Sequence, residues 1–280
     1  MSLYNESGED GDKNKAFTLD TIHPVESTEG YAFILEDLKN KCFLWFPAVQ
    51  EELQTEVLPV EKGLSDYVSP AFYLIPPLDL YDENVIYLNE PENTDDLSLY
   101  TTLAHEGYPG HLYQTTYFYE YQHYQVQEDA NTYYLILQGR SILQFPGYTE
   151  GYATYAEFLS YEYAESYADA TAMEIERLNR RLWLSLYAML DLSIHFYGYD
   201  NEDTYQCLAS FGIDDRRAAG EVYEYIVNAP ANYLTYYIGC LETERCKELA
   251  RVAWKEDYSD MRFHSFFLGL GPAPFPYIRE

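Results

Sequence analysis

The stretch from Leu103 to His111 reads LAHEGYPGH, and the rest of the chain is interpreted outward from it. A neutral imidazole binds a divalent metal through nitrogen, and a carboxylate beside a metal-activated water can accept its proton. A His-Glu pair followed by a second His therefore supplies the minimum set of groups for hydrolysis at Zn²⁺. We expect His105 and His111 to be metal ligands and Glu106 to be the general base.

The two histidines are six residues apart, whereas the familiar His-Glu-x-x-His motif places them about one helical turn apart. In a regular helix, six residues rotate the second side chain roughly 120° away from the first. Pro109 and Gly110 lie in the gap, and a proline inside a helix removes a backbone donor and clashes with the preceding turn. We therefore predict a helix break that returns His111 toward His105.

The third ligand is expected in a second segment, Thr149 to Glu157, which reads TEGYATYAE. Glu150 opens this apolar-aromatic segment after a break at Pro146-Gly147, and Glu157 follows on the same helical face. We expect Glu150 to bind the metal. Glu157 would then hold a ligand imidazole by its other ring nitrogen, as metal-bound histidines usually require.

The two segments resemble the hallmark of the bacterial domain-of-unknown-function 885 proteins, a His-Glu-x-x-Pro-Gly-His stretch followed by Glu-Gly-Trp-Ala-x-Tyr-x-Glu. The chain has HEGYPGH and EGYATYAE in that order, and the similarity covers most of the chain from Phe43 onward. The resemblance implies a mostly helical zinc peptidase of the gluzincin type, with two His and one Glu holding one Zn²⁺. Two departures, Leu112 for a second His and Tyr152 for the Trp, leave the expected ligands intact.

The resemblance also indicates candidates for stabilising the oxyanion that forms when a carbonyl becomes tetrahedral. Tyr236 matches the family's Tyr-x-Ile-Gly position, with Tyr233 and Tyr237 as competitors. His195 follows Asp191 by one helical turn, so that contact between them is easy, and the resemblance makes the pair part of the site wall. The competing interpretation of this Asp-His pair is a purely structural contact.

Composition limits the classes of partner. The chain has 280 residues, 47% of them hydrophobic, which is enough for a large core. Its 47 acidic and 17 basic residues give a formal charge of −30, a field that repels phosphates, so we expect neither nucleic-acid nor anionic-membrane binding. We see no segment of membrane-spanning length and no signal segment, and we expect the four cysteines to be buried free thiols.

The predicted fold class is mainly α, with a small β element before the metal-binding helix. Residues 84–89 are the best strand candidate, whereas Tyr31 to Leu58 indicates a helix followed by a connecting segment. We expect residues 1–16 to be a disordered or expression-derived lead and 17–280 to be a single helical metallohydrolase domain. The domain is expected to be the C-terminal part of a longer protein, secreted or at the cell surface, whose N-terminal region is a candidate partner.

The functional hypothesis is zinc-dependent hydrolysis of peptides, and two alternatives stay open. A metal-dependent hydrolase of another amide or an ester would share every catalytic residue and differ only in its pocket. An inactive helical binding module would keep the same scaffold. Three rare cations either hold a substrate carboxylate or form internal salt bridges, and these are Arg216, Arg217 and Arg245.

Overall fold

The computed structural model describes residues 28–49, 53–77, 83–89, 95–126 and 129–280. The lead at residues 1–16 lies outside these ranges. The described chain is mainly helical with a small sheet, as predicted. Its first elements are α1 (Thr28–Cys42), β1 (Gln54–Pro59), β2 (Ala71–Leu74) and β3 (Glu83–Leu88). The helices that follow are α2 (Asp96–Glu106), α3 (His111–Val126), α4 (Ala130–Ile142), α5 (Pro146–Ser160), α6 (Ala170–His195), α7 (Asn201–Ser210), α8 (Arg216–Asn228), α9 (Asn232–Trp254), α10 (Asp260–Leu270) and α11 (Phe275–Ile278).

The sheet has the strand order β1-β3-β2, with β1 parallel and β2 antiparallel to β3. The central strand β3 coincides with the predicted strand, and its buried residues alternate along it, as expected for a strand with two different faces. The prediction of a connecting segment before Leu58 was wrong, because β1 lies there. Its pairing with β3 joins distant residues such as Glu56 and Val85, so local sequence carries little signal for it.

The chain breaks between the two histidines, as the spacing argument predicted. Asp95 accepts a hydrogen bond from the Ser98 backbone N–H and caps α2, which ends at Glu106. The next helix, α3, begins at His111. A Cβ atom added to Gly110 would lie 1.7 Å from the carbonyl oxygen of His105, so the turn folds back against α2 in a way that glycine alone permits.

Helix α5 lies at the centre of the fold and packs closely along α9 and against α2. Because α5 carries Glu150, α2 carries His105 and α9 carries Tyr236, this packing brings three separate parts of the sequence together. Helix α6 packs against α9 and α8 on the other side. Several of the largest buried side chains are aromatic: Tyr100, Tyr113, Tyr148, Tyr152, Phe263 and Phe267.

Within the described residues, no helix combines the length and apolar character needed to cross a bilayer. The four cysteines are free, and three of them, Cys42, Cys240 and Cys246, are buried. Cys207 is only half-buried, so the prediction of buried thiols is confirmed for the other three.

Candidate metal centre

Three side chains from three helices meet at the end of α2. His105, His111 and Glu150 each present one ligand atom, and these atoms all lie within 4.8 Å of one another. The Oε2 atom of Glu150 is 3.6 Å from His105 Nε2 and 3.4 Å from His111 Nε2. The structure thus brings together the three residues that the sequence predicts as metal ligands.

The chemistry of this cluster fits a divalent cation. Glu150 Oε2 is buried and has no hydrogen-bond partner among the described residues, and both imidazole nitrogens are beyond the usual hydrogen-bond distance from it. Ligand atoms around a tetrahedral Zn²⁺, with bonds of about 2.0–2.1 Å, lie roughly 3.4 Å apart. A shared cation would therefore satisfy a buried carboxylate oxygen that the protein leaves unpaired.

A buried carboxylate orients the first histidine. Glu157 Oε2 lies 3.1 Å from His105 Nδ1, which leaves Nε2 of the same ring facing Glu150. Glu157 is in turn held by Arg180 of α6, whose Nε donates to Oε1 at 2.7 Å. The chain from Arg180 through Glu157 to His105 is the arrangement that fixes the tautomer and the direction of a metal-binding imidazole.

Charge in this region is strongly coupled. Burial raises the pKa of Glu157, but Arg180 and His105 outweigh it and bring the value to about 2. Burial lowers the pKa of His105, whereas the contacts with Glu150 and Glu157 raise it, to about 10. The pKa of Glu150 falls because its contacts with the two histidines outweigh burial. In the absence of a metal, a proton on His105 compensates these carboxylates, and a divalent cation would displace it.

Glu106 lies beside the cluster, with its direction set by the sheet. It is 8% exposed, and its Oε2 accepts a hydrogen bond of 2.8 Å from the backbone N–H of Tyr73 in β2. A cleft of about 540 Å³ opens at this point, and its walls include Glu106, His111, Glu150 and Tyr236. The expected base therefore faces the same space as two of the three expected ligands.

The phenol of Tyr236 also lines the cleft and stacks near His105, with ring centroids 6.0 Å apart. Burial and the neighbouring carboxylates of Glu150 and Glu106 raise its pKa, so the hydroxyl stays protonated and able to donate. Of its competitors, Tyr233 packs on Tyr187 instead, and neither Tyr233 nor Tyr237 is among the described residues lining the cleft. The structure favours Tyr236 among the three.

The structure does not bring His195 to this cluster. Its Nε2 bonds the carbonyl oxygen of Ile226 in α8 at 3.0 Å, and it is absent from the described lining of the cleft. Asp191 accepts hydrogen bonds from the backbone N–H groups of Ala231 and Tyr233 at the start of α9. The expected catalytic role of His195 is corrected accordingly: the last turn of α6 faces α8, and the Asp-His pair supports the helices around the site.

The three cations weighed as carboxylate binders form salt bridges. Arg216 pairs with Glu202, Arg217 with Glu221, and Arg245 lies 3.9 Å from Glu242. None of the three lines the described part of the cleft. The internal salt-bridge interpretation is therefore the one that the structure favours.

Sequence reasoning missed Arg180 and the Tyr73 N–H as partners of the site. Arg180 lies in a helix with many charged residues, and nothing in its local pattern distinguishes it from Arg177 or Arg181. The Tyr73 donor is a backbone group, so no residue type announces it. Tyr152, which replaces the Trp of the family hallmark, donates from its hydroxyl to the Pro109 carbonyl and ties α5 to the turn between the ligands.

The fold and the cluster define a mainly helical protein with a candidate metal centre of two histidines and one glutamate. The chain matches the family described as "Bacterial protein of unknown function (DUF885)" over residues 12–280, and it belongs to that family. The resemblance in the sequence is thereby confirmed at the level of the family. Because that description assigns no activity, the zinc peptidase part of the resemblance stays a prediction.

Two solved structures share the fold. One, from Colwellia psychrerythraea, has a TM-score of 0.66 and 21% identity, covering 90% of this chain and 42% of that chain. The other, from Shewanella oneidensis, has a TM-score of 0.61 and 18% identity, covering 91% and 44%. Both are described as a "putative lipoprotein". This chain thus spans less than half the length of each, and none of the curated proteins compared with it matches.

Proposed function

We propose that the protein is a zinc-dependent peptidase. The observation that carries the proposal is the convergence of His105, His111 and Glu150 in one cleft wall region with Glu106 beside them. Two imidazoles and one carboxylate are a donor set typical of catalytic zinc, which keeps a position open for water or substrate. A bound Zn²⁺ would supply a Lewis acid that lowers the pKa of water and polarises a carbonyl.

The chain's own residues have separable roles in this reaction. Glu106, fixed through Oε2 by the Tyr73 N–H, accepts a proton from the attacking water and returns it to the leaving amine. Tyr236 keeps its hydroxyl proton and donates it as a hydrogen bond to the developing oxyanion. Glu157 and Arg180 hold His105 in a single orientation, so that no reorganisation is needed during turnover.

The free edge of β2 supports a peptide as the substrate rather than another amide or an ester. In the pairing of β2 with β3, Ala71 and Tyr73 lie at positions whose backbone groups point away from β3. The Tyr73 N–H reaches Glu106, while the Tyr73 carbonyl and the backbone of Ala71 face the open edge. An extended peptide could pair with this edge and pass beside the metal centre.

The test combines metal content with turnover. Purified protein should hold about one zinc per chain by elemental analysis, and the zinc-loaded protein should cleave members of a peptide library. Glu106→Gln should keep the zinc and lose about 100- to 10,000-fold in turnover. Hydrolysis of esters or small amides but not of peptides would favour the alternative hydrolase. Zinc binding with no hydrolysis of any of these substrates would favour a binding module.

We also propose that the protein works at the cell surface or beyond it. The support is the description of both solved relatives as lipoproteins, together with their similar fold. Fractionation of the bacterium that produces the full protein tests this directly, because recovery in the cytosolic fraction alone would contradict it.

A further inference from the structure

The cleft beside the metal centre carries little charge beyond the centre itself. Its described lining contains the expected base Glu106, the expected ligands His111 and Glu150, and no lysine or arginine. In a chain with 47 acidic residues, this is a local exception. A substrate's free carboxylate would find no guanidinium here, and a free ammonium would find only the two carboxylates already assigned to metal and proton transfer.

The remaining walls are aromatic and aliphatic. They come from four elements and the segment before α5, and they include Phe72, Phe118, Tyr119, Leu137, Phe145 and Tyr148. Such walls favour a large apolar group, which gains free energy by leaving water, and they penalise a charged group that would lose its hydration.

Gln114 adds a polar group that the protein does not use. It lies one turn after His111 on α3, is 5% exposed and lines the cleft. Its Nε2 is buried and has no hydrogen-bond partner among the described residues. An unpaired buried amide N–H is costly, and a substrate carbonyl is the kind of acceptor that would satisfy it.

We infer that the cleft selects an internal, uncharged stretch of polypeptide with a large apolar side chain next to the scissile bond, and that Gln114 donates to one of its backbone carbonyls. The inference rests on the proposed function for the position of the scissile bond. It makes the enzyme an endopeptidase, and it makes Gln114 a specificity-determining residue distinct from the metal ligands.

The first measurement is binding, which does not depend on turnover. Zinc-loaded Glu106→Gln protein is titrated calorimetrically with octapeptides that are acetylated and amidated and that differ only at one central residue, Phe, Ala, Asp or Lys. We expect the Phe peptide to bind at least tenfold more tightly than the Asp and Lys peptides. We expect a Phe dipeptide with free ends to bind more weakly than its blocked form. Equal affinities, or a preference for free ends, would overturn the inference.

The second measurement uses Gln114→Met, which keeps the length of the side chain and removes the donor. We expect roughly tenfold weaker binding of the Phe octapeptide, since one hydrogen bond is lost, with unchanged zinc content. Because the amide N–H is unpaired in the free protein, the Tm should stay the same or rise. A lower Tm with unchanged peptide affinity would mean that Gln114 is only structural.

Gln206→Met is the matched control, because Gln206 lies on α7 and its amide bonds Glu202. It should leave peptide affinity unchanged. The two proposals fail separately. Expected binding preferences without cleavage by the zinc-loaded wild type would remove the peptidase and keep the inference. Efficient cleavage of charged or free-ended peptides, unaffected by Gln114→Met, would do the reverse, and absence of binding by all the peptides would overturn the inference.

Discussion

Gly151 of α5 lies against Gly239 of α9 so closely that a Cβ atom on Gly151 would be 2.2 Å from the carbonyl carbon of Gly239. Glu150 precedes the first glycine, and Tyr236 lies one turn before the second. This glycine contact therefore sets how closely the expected third ligand and the expected oxyanion donor approach. It also allows the close packing of α5 along α9 that forms the centre of the fold.

Replacing Gly239 by alanine should destabilise the protein, because the new Cβ would be 2.2 Å from the Gly147 carbonyl oxygen. Overpacking of this kind costs about 1–3 kcal/mol, which corresponds to a Tm lower by roughly 2–10 °C in thermal denaturation. Gly139→Ala in α4 is the control, since nothing lies within 4 Å of its Cβ position. An unchanged Tm for Gly239→Ala would mean that the two helices separate without penalty.

His111→Ala should lose zinc, because the structure returns this side chain to within 4.8 Å of the other ligand atoms. The measurement is zinc per chain after gel filtration in metal-free buffer. His123→Ala on the same helix, where the imidazole packs against Tyr133, should retain wild-type zinc. Stoichiometric zinc in the His111 variant would mean that the six-residue spacing does not form a metal centre.

Glu157→Gln should weaken zinc binding without abolishing it, since Glu157 orients His105 and does not belong to the three-ligand cluster. Loss of such a partner typically lowers metal affinity about 10- to 100-fold, measurable by competition with a chromophoric chelator. Arg180→Met should act in the same direction through Glu157. Arg177→Met, one turn earlier on α6 and paired with exposed Glu174, is the matched control and should have wild-type affinity.

The metal-free protein should lose stability on both sides of neutral pH. The pKa of Glu157 is about 2 in the folded protein, against an ordinary value of 4.5, so its contribution is present above about 4.5 and is lost as the pH falls toward 2. The pKa of His105 is raised from 6.5 to about 10, so its contribution is complete below 6.5 and is lost as the pH rises toward 10.

Urea denaturation with a chelator present, at pH values from 3 to 10, measures both limbs. In Glu157→Gln the acid-side loss should be smaller, because the titrating carboxylate is gone, and the alkaline-side loss should begin at lower pH. Parallel curves for the variant and the wild type between pH 3 and 5 would contradict the assignment.

Tyr236→Phe should lower kcat by about 100- to 1,000-fold, the usual effect of removing one oxyanion donor, while zinc content and KM change little. His195→Phe provides the comparison, because His195 bonds the Ile226 carbonyl away from the cleft. We expect that variant to lower the Tm and to leave kcat near the wild-type value. The opposite ranking of the two variants would return the oxyanion role to His195.

The sequence by itself determined the chemistry of the candidate site. Residue type and spacing were enough to select His105, Glu106, His111 and Glu150, because metal binding needs particular side chains and a Pro-Gly break has a known effect on a helix. It also predicted the mainly helical fold and the strand at β3, since apolar periodicity and capping are local signals.

Only the tertiary structure decided which more distant groups complete the site. Arg180 reaches Glu157 because α6 packs beside α9 and α5, and the Tyr73 N–H reaches Glu106 because β2 forms the edge of the sheet. His195 and Tyr236 were equal candidates in the sequence, and the direction of α6 separated them. These contacts join residues far apart in the chain, and their geometry follows from helix and sheet packing, for which local sequence patterns carry no signal.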